Sequence, residues 1–284
     1  MPTAPLPYTV IDVFTDRPLQ GNQLGVFTDA RALSPAQMQR LAREMNFAEC
    51  VFVLPAEKGG DARIRIFTPA QELPFAGHPV LGAAFVVGEP LDKPSVRLET
   101  GLGVVPLELT REAGRVVYGR MQQPIPAWQP YAQARELLEA LGVAKSALPV
   151  ESYQNGPLHV YVALESDEQV ARLKPDLTAL AALGPVGANC FAGAGRRWKT
   201  RMFAPGLGVA EDPATGSAAG PLAVHLARHG RIAFGDEIEI RQGEEIGRPS
   251  ILFARAHGSA AAIERVEVGG SAVMVARGEF HNYG

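Results

Sequence analysis

Apolar and polar positions alternate in short runs along this chain, and glycine or proline punctuates nearly every run. Period-two alternation between turn residues predicts strands. In the first half these are Tyr8–Phe14, Leu24–Phe27, Cys50–Leu54, Arg63–Phe67, Val96–Thr100, Val104–Leu109 and Val116–Met121. In the second half they are Leu158–Leu164, Lys199–Phe203, Glu237–Arg241, Ile251–Arg255, Ala260–Glu264 and Ala272–Phe280. Helical spacing appears at Met38, Leu41, Ala42 and Met45, behind Ser34-Pro35-Ala36-Gln37, a capping box with proline at the first helical position. Ala132–Leu141 predicts a second surface helix, ended by Gly142, and Ser166-Asp-Glu-Gln169 repeats the capping signal. Pro79–Val87 is apolar nearly all round, which predicts a helix buried within a sheet layer; Ala218–His229, a small-residue apolar helix stopped by Gly230, is its partner in the second half.

The stretches before these two helices read alike. Phe67-Thr-Pro-Ala-Gln-Glu-Leu-Pro-Phe-Ala-Gly-His78 and Phe203-Ala-Pro-Gly-Leu-Gly-Val-Ala-Glu-Asp-Pro-Ala-Thr-Gly-Ser217 each run from a strand-ending Phe, through a loop with proline and an acid, to a Gly-plus-polar pair. Phe203 follows Phe67 by 136 residues and Ser217 follows His78 by 139, so the second loop is three residues longer. One supersecondary unit used twice predicts an α+β protein of two pseudo-symmetric halves, facing each other across a cleft. The Pro-rich stretch Gln123–Pro130 marks the expected junction, giving domains 1–124 and 125–270 and a terminal strand 271–284.

Composition narrows the function. A net charge of −3 gives no basic footprint for nucleic acid, and no apolar run approaches a membrane span. Met1–Pro7 has neither a basic nor an apolar leader region, so no signal peptide is expected. Two cysteines, Cys50 and Cys190, are too few for a disulfide scaffold or a zinc cluster and fit a reducing cytoplasm.

Helix starts expose unpaired N–H groups that favour an anion. Gly77-His78 and Gly216-Ser217 both sit at such starts, and glycine lets a ligand approach the backbone. The pair suggests a small carboxylate gripped from both sides; the same residues also read as plain caps, with His78 and Ser217 as N-caps. Glu49, at the mouth of an apolar strand, loses solvation, which favours holding a proton and suits a proton shuttle; an exposed loop glutamate is the plainer alternative. Asp212 suits either a substrate hydrogen bond or a turn. His225 and His229 have the i, i+4 spacing of a metal pair, but no glutamate stands at 226 and no metal is expected. His159, His257 and His281 show no partner, and no dinucleotide, Walker or nucleophile-elbow motif occurs.

The motifs Asp12-Val-Phe14 with Gly21-Asn22, Ala48-Glu-Cys-Val-Phe52, Ile66-Phe-Thr-Pro69, Glu72-Leu-Pro-Phe-Ala-Gly-His-Pro79, Met202-Phe-Ala-Pro205, Glu211-Asp-Pro-Ala-Thr-Gly-Ser-Ala218 and Gly247-Arg-Pro-Ser250 together resemble the PhzF family of phenazine-biosynthesis-like isomerases, within the diaminopimelate-epimerase-like fold. The resemblance covers nearly the whole chain. It implies two domains, each a barrel-like, mostly antiparallel sheet around a central helix, and a last strand that crosses back to the first domain. It implies a cofactor-free proton shift on a small carboxylic acid, with Glu49 as general acid/base. His78 and Asp212 would orient the substrate, and Asn22, Gly77, Gly216 and Ser217 would bind it. A homodimer is implied as well. Amino-acid epimerases of this fold carry a cysteine before each motif glycine; here Ala76 and Thr215 stand there, and neither is a useful base. An epimerase or racemase with another base, and a non-catalytic carboxylate binder, are the alternatives.

Overall fold

The computed structural model describes residues 5–281 and 283; residues 1–4, part of the stretch scanned for a leader, lie outside them. The chain forms two compact units, one from the residues up to Gln122 together with those from Gly269 onward, the other from Gln123–Val268. Each is a mixed, mainly antiparallel sheet wrapped on a central helix.

In the first unit, Leu6–Val13 pairs antiparallel with Asn22–Phe27 and, on its other side, with the terminal strand Ala272–Phe280. Helix Pro35–Met45, with Ser34 and Gln37 closing the expected capping box, carries the chain to Glu49–Leu54, parallel to Asn22–Phe27. Ala62–Phe67 then pairs antiparallel with Glu49–Leu54 and with the short strand Glu72–Leu73. The central helix Gly77–Leu91 crosses over to Ser95–Thr100, which lies parallel to Ala62–Phe67. Gly103–Glu112 and Arg115–Gln123 complete the order.

The second unit repeats this pairing strand for strand. Ala127–Pro130, Glu151–Gln154 and Leu158–Ala163 are antiparallel neighbours, and Val186–Ala194 is parallel to Leu158–Ala163. Arg197–Ala204 pairs antiparallel with Val186–Ala194 and with Val209–Asp212. The central helix Gly216–Arg228 crosses over to Glu237–Gln242, parallel to Arg197–Ala204, and Ser250–Gly258 follows antiparallel. The duplicated motif is thus a strand, a short returning strand and a buried helix, in both units.

Three local expectations are corrected. The strand placed at Ala260–Glu264 is Ile263–Gly270, because Gly258 (φ +114) and the Ser259 N–H to Ala262 carbonyl bond of 2.8 Å turn the chain there. The Pro-rich break holds a strand, Ala127–Pro130, with Pro126 just before it and Pro130 as its last residue. His78 and Ser217 are not N-caps: the helices start at Gly77 and Gly216, and Ala76 and Thr215 stand at the cap positions without a side-chain cap bond.

Both central helices are buried on nearly all sides, so their hydrogen-bonded cylinders sit where only small residues fit. A Cβ on Gly220 would lie 2.4 Å from Gln123 Oε1 and 2.6 Å from Val266 Cγ1. Gly220→Ala is therefore expected to destabilise the fold by about 1–3 kcal/mol through overpacking, read as a lowered urea midpoint at unchanged m-value.

Candidate active site

In the first unit, the start of the central helix meets the start of two strands. Glu49 opens the strand Glu49–Leu54 with its side chain 17% exposed, and its Oε2 lies 3.5 Å from Nε2 of the buried His78. The other ring nitrogen, Nδ1, lies 3.3 Å from the side-chain nitrogen of buried Asn22. Asn22 is aimed by Gly21, whose φ of +66 and whose missing Cβ, which would sit 2.4 Å from the Val13 carbonyl, hold the turn before it. Burial pushes the His78 ring down to about 3, against a backbone hydrogen bond to Gln23 that favours its charged form. At neutral pH the imidazole is uncharged. At His78, Glu49 therefore faces a polar but neutral partner.

In the second unit, the equivalent loop is clamped by one side chain. Gln242 donates from Nε2 to the Asp212 carbonyl (2.8 Å) and to Thr215 Oγ1 (2.9 Å), and its Oε1 accepts from the Thr215 N–H (3.2 Å) and from Thr200 Oγ1 (3.2 Å). Because Thr215 Oγ1 accepts from Gln242, its own hydrogen goes to Asp212 Oδ2, 2.6 Å away. Thr215, too weak an acid to act as a base, orients the Asp212 carboxylate. Ser217, the second helical residue like His78 in its own unit, has its Oγ 3.0 Å from His159 Nε2.

The structure thus brings Glu49, His78 and Asn22 together in one unit, and Asp212 and Ser217 onto one helix start in the other. Gln242 and Asn189 were not singled out from the sequence, and His159, expected to show no partner, has two, Ser217 Oγ at 3.0 Å and the Asn189 side chain at 3.3 Å. Their strands do begin or end beside the helix starts, which is visible only once the pairing is known.

His225 and His229 have a different use. Glu151 Oε2 accepts from Arg228 Nη1 (2.7 Å) and the Tyr153 hydroxyl (2.8 Å), and lies 3.0 Å from His229 Nε2 and 3.3 Å from His225 Nδ1. Burial opposes the charge on Glu151, but the Arg228, His229 and Tyr153 hydrogen bonds outweigh it and hold the carboxyl down at about 2. The ligand-type atoms of Glu151, His225 and His229 lie within 4.8 Å of one another, yet the Arg228 guanidinium already occupies the same carboxylate oxygen and repels a dication. Glu151 is thus held by an ion pair to Arg228 and by hydrogen bonds to the residues around it. His257 also has a partner, Glu267 Oε2 at 2.9 Å, contrary to expectation. Cys50 and Cys190 are fully buried, and burial pushes both thiols up to about 12, so neither offers a thiolate.

Residues 11–278 match the family described as phenazine biosynthesis-like protein, PhzC-PhzF. The chain belongs to the PhzF family. A relative from Pseudomonas fluorescens, a trans-2,3-dihydro-3-hydroxyanthranilate isomerase, is 55% identical over 271 residues, covering 95% of this chain and 98% of the relative. A PhzF-family protein from Bacillus anthracis superposes with a TM-score of 0.86 at 25% identity, over 98% of this chain and 99% of that one. A hydroxyproline epimerase from Agrobacterium vitis, at 14% identity and a TM-score of 0.66 over 99% of this chain and 92% of its own, shares the fold. This PhzF protein is an isomerase, as the motifs implied, and its α+β architecture is the epimerase-like one. Among the described residues no helix is long and apolar enough to cross a membrane.

Proposed function

We propose that the chain is a cofactor-independent isomerase that shifts a proton along a small conjugated carboxylic acid, trans-2,3-dihydro-3-hydroxyanthranilate or a close analogue. Glu49 is the general acid/base. Its carboxylate takes a proton from a substrate carbon, the electron pair moves through the adjoining double bonds, and the resulting carboxylic acid returns the proton at the far end of the conjugated system. No electron is gained or lost, so no redox partner is called for.

The observation that carries this reading is the 3.5 Å approach of Glu49 to a buried, neutral His78. A charged imidazolium would hold Glu49 as a permanent anion; a neutral ring can orient the carboxylate and leave its proton exchange intact. The N–H groups of Gly77 in the first unit and of Gly216 in the second, at helix starts without side-chain caps, each suit a carboxylate. In the first unit Asn22 and His78 are the side chains suited to hydrogen-bond a ligand beside Glu49, and in the second unit Asp212 and Ser217 are. Thiol-based racemisation is disfavoured, because Ala76 and Thr215 occupy the positions before the glycines and both cysteines are core residues.

The test is turnover. Incubated with trans-2,3-dihydro-3-hydroxyanthranilate, the purified protein is expected to consume it and form an isomer of identical mass, with no metal or nucleotide added. Tight binding without conversion favours a non-catalytic carboxylate binder, and no binding removes this substrate class. Buried reduced thiols fit the cytoplasm. The homodimer rests on family resemblance, and sedimentation equilibrium tests it.

A further inference from the structure

Ser217 is the last member of a directed hydrogen-bond chain inside the second unit. The chain begins at Asn189, on the strand Val186–Ala194. Its side-chain nitrogen lies 2.9 Å from the Gly187 carbonyl and 3.5 Å from the Val160 carbonyl. Carbonyl oxygens only accept, so the amide must turn its NH₂ towards them. Of its two hydrogens one goes to the Gly187 carbonyl and the other to His159 Nδ1, 3.3 Å away, which is then the acceptor of that pair; the Val160 carbonyl is the longest of the three contacts. A neutral imidazole that accepts at Nδ1 carries its hydrogen on Nε2. Nε2 faces Ser217 Oγ at 3.0 Å and donates to it. With its oxygen accepting from His159, the Ser217 hydroxyl keeps its own hydrogen for another acceptor.

We propose that His159 and Asn189 are positioning residues that set the Ser217 hydroxyl as a donor towards an anionic oxygen of the ligand, a role that rests on the assignment of Ser217 as a substrate-binding residue.

Three further observations agree. His159 is buried, and that burial pushes its ring down to about 4, which keeps it neutral. Gly187, paired with His159 across parallel strands, makes room for the ring: a Cβ there would lie 2.7 Å from Nδ1. Ser217 also occupies the second position of a helix whose start favours negative charge, so a donor hydroxyl and the helix end ask for the same kind of group. The arrangement resembles a Ser–His–Asn nucleophile set, but its polarity is reversed. With the proton already on Nε2, His159 cannot take one from Ser217, and the serine is a donor and not a nucleophile.

Two measurements test the proposal. In ¹⁵N-labelled protein, NMR of the His159 ring is expected to show an unprotonated Nδ1 and a protonated Nε2 from pH 8 down to about 5.5; an Nδ1–H tautomer or an imidazolium in that range overturns it. The second is a double-mutant cycle read as the Kd of 3-hydroxyanthranilate by calorimetry. Ser217→Ala and His159→Ala are each expected to weaken binding about tenfold, as loss of a charge-assisted hydrogen bond does, and the double variant no more than Ser217→Ala alone. His159→Gln, which keeps an N–H donor, is expected to recover most of the loss. Additive losses overturn the positioning role while leaving Ser217 as a ligand residue. An unchanged Kd in Ser217→Ala removes Ser217 from the binding site and the proposal with it.

Discussion

Glu49→Gln is expected to lower kcat by at least about a hundredfold while changing the Kd for 3-hydroxyanthranilate by less than about threefold. Glutamine has the shape of glutamate and keeps a polar group beside His78 Nε2, 3.5 Å away, but it cannot accept and return a proton near neutral pH. Because the imidazole is neutral, removing the carboxylate charge strands no cation at His78. Glu49→Asp keeps the acid–base group but withdraws it by about one carbon–carbon bond, and general acid–base catalysis tolerates such displacement poorly. Its kcat should fall between those of Glu49→Gln and the wild type. Stopped-flow absorbance of the conjugated substrate separates these kcat effects from binding. A Glu49→Gln variant with lost affinity and intact kcat would make Glu49 a binding group only.

Acidification is expected to unfold the protein steeply between pH 6.5 and 4. Burial holds three histidines neutral in the fold, His78 to about 3 and His159 and His225 to about 4, against an ordinary value of 6.5. For a depressed histidine the unfolded chain binds the proton first. Its contribution to stability is therefore complete above pH 6.5 and is lost as pH falls towards the folded value. Near pH 5 the unfolded chain holds close to three more protons on these rings than the folded one, a slope of roughly 4 kcal/mol per pH unit. Against a total of about 5–15 kcal/mol for a typical domain, two pH units suffice to unfold many such proteins. Glu151, held at about 2, adds a further loss as pH drops below its ordinary 4.5. Urea midpoints measured from pH 7.5 to 4.5 check this, and His159→Gln should reduce the slope by about a third. A flat stability across that range would contradict the burial of neutral rings.

Much of this architecture was legible in the sequence because the duplication was. The paired Phe67–His78 and Phe203–Ser217 stretches, and the two helices apolar on nearly every side, carry the repeat that the strand pairing later displays twice. What escaped were elements with no periodic signature. Val186–Ala194 is buried along most of its length and rich in glycine and alanine, so it shows no alternation. Ala127–Pro130 was hidden by its prolines, and the Gly258 turn displaced the strand placed at Ala260–Glu264. At the site, Glu49, His78, Asp212 and Ser217 lay within motifs and could be named. Gln242, His159 and Asn189 come from strands far away in sequence, and only the cross-strand register puts them beside Thr215 and Ser217. The cap positions were also misjudged by two residues: His78 and Ser217 have a cap's chemistry, but each sits inside the first turn, free of the capping role and available to a ligand.

The central claim is that one carboxylate, Glu49, carries the substrate's proton from carbon to carbon. Proton NMR of trans-2,3-dihydro-3-hydroxyanthranilate in D₂O, with wild-type protein and with Glu49→Gln at equal occupancy, measures it directly. The account predicts that the wild type moves the carbon-bound proton and yields the isomer, while Glu49→Gln gives neither isomer nor deuterium at carbon over the same period. Isomer formed by Glu49→Gln at the wild-type rate would contradict it.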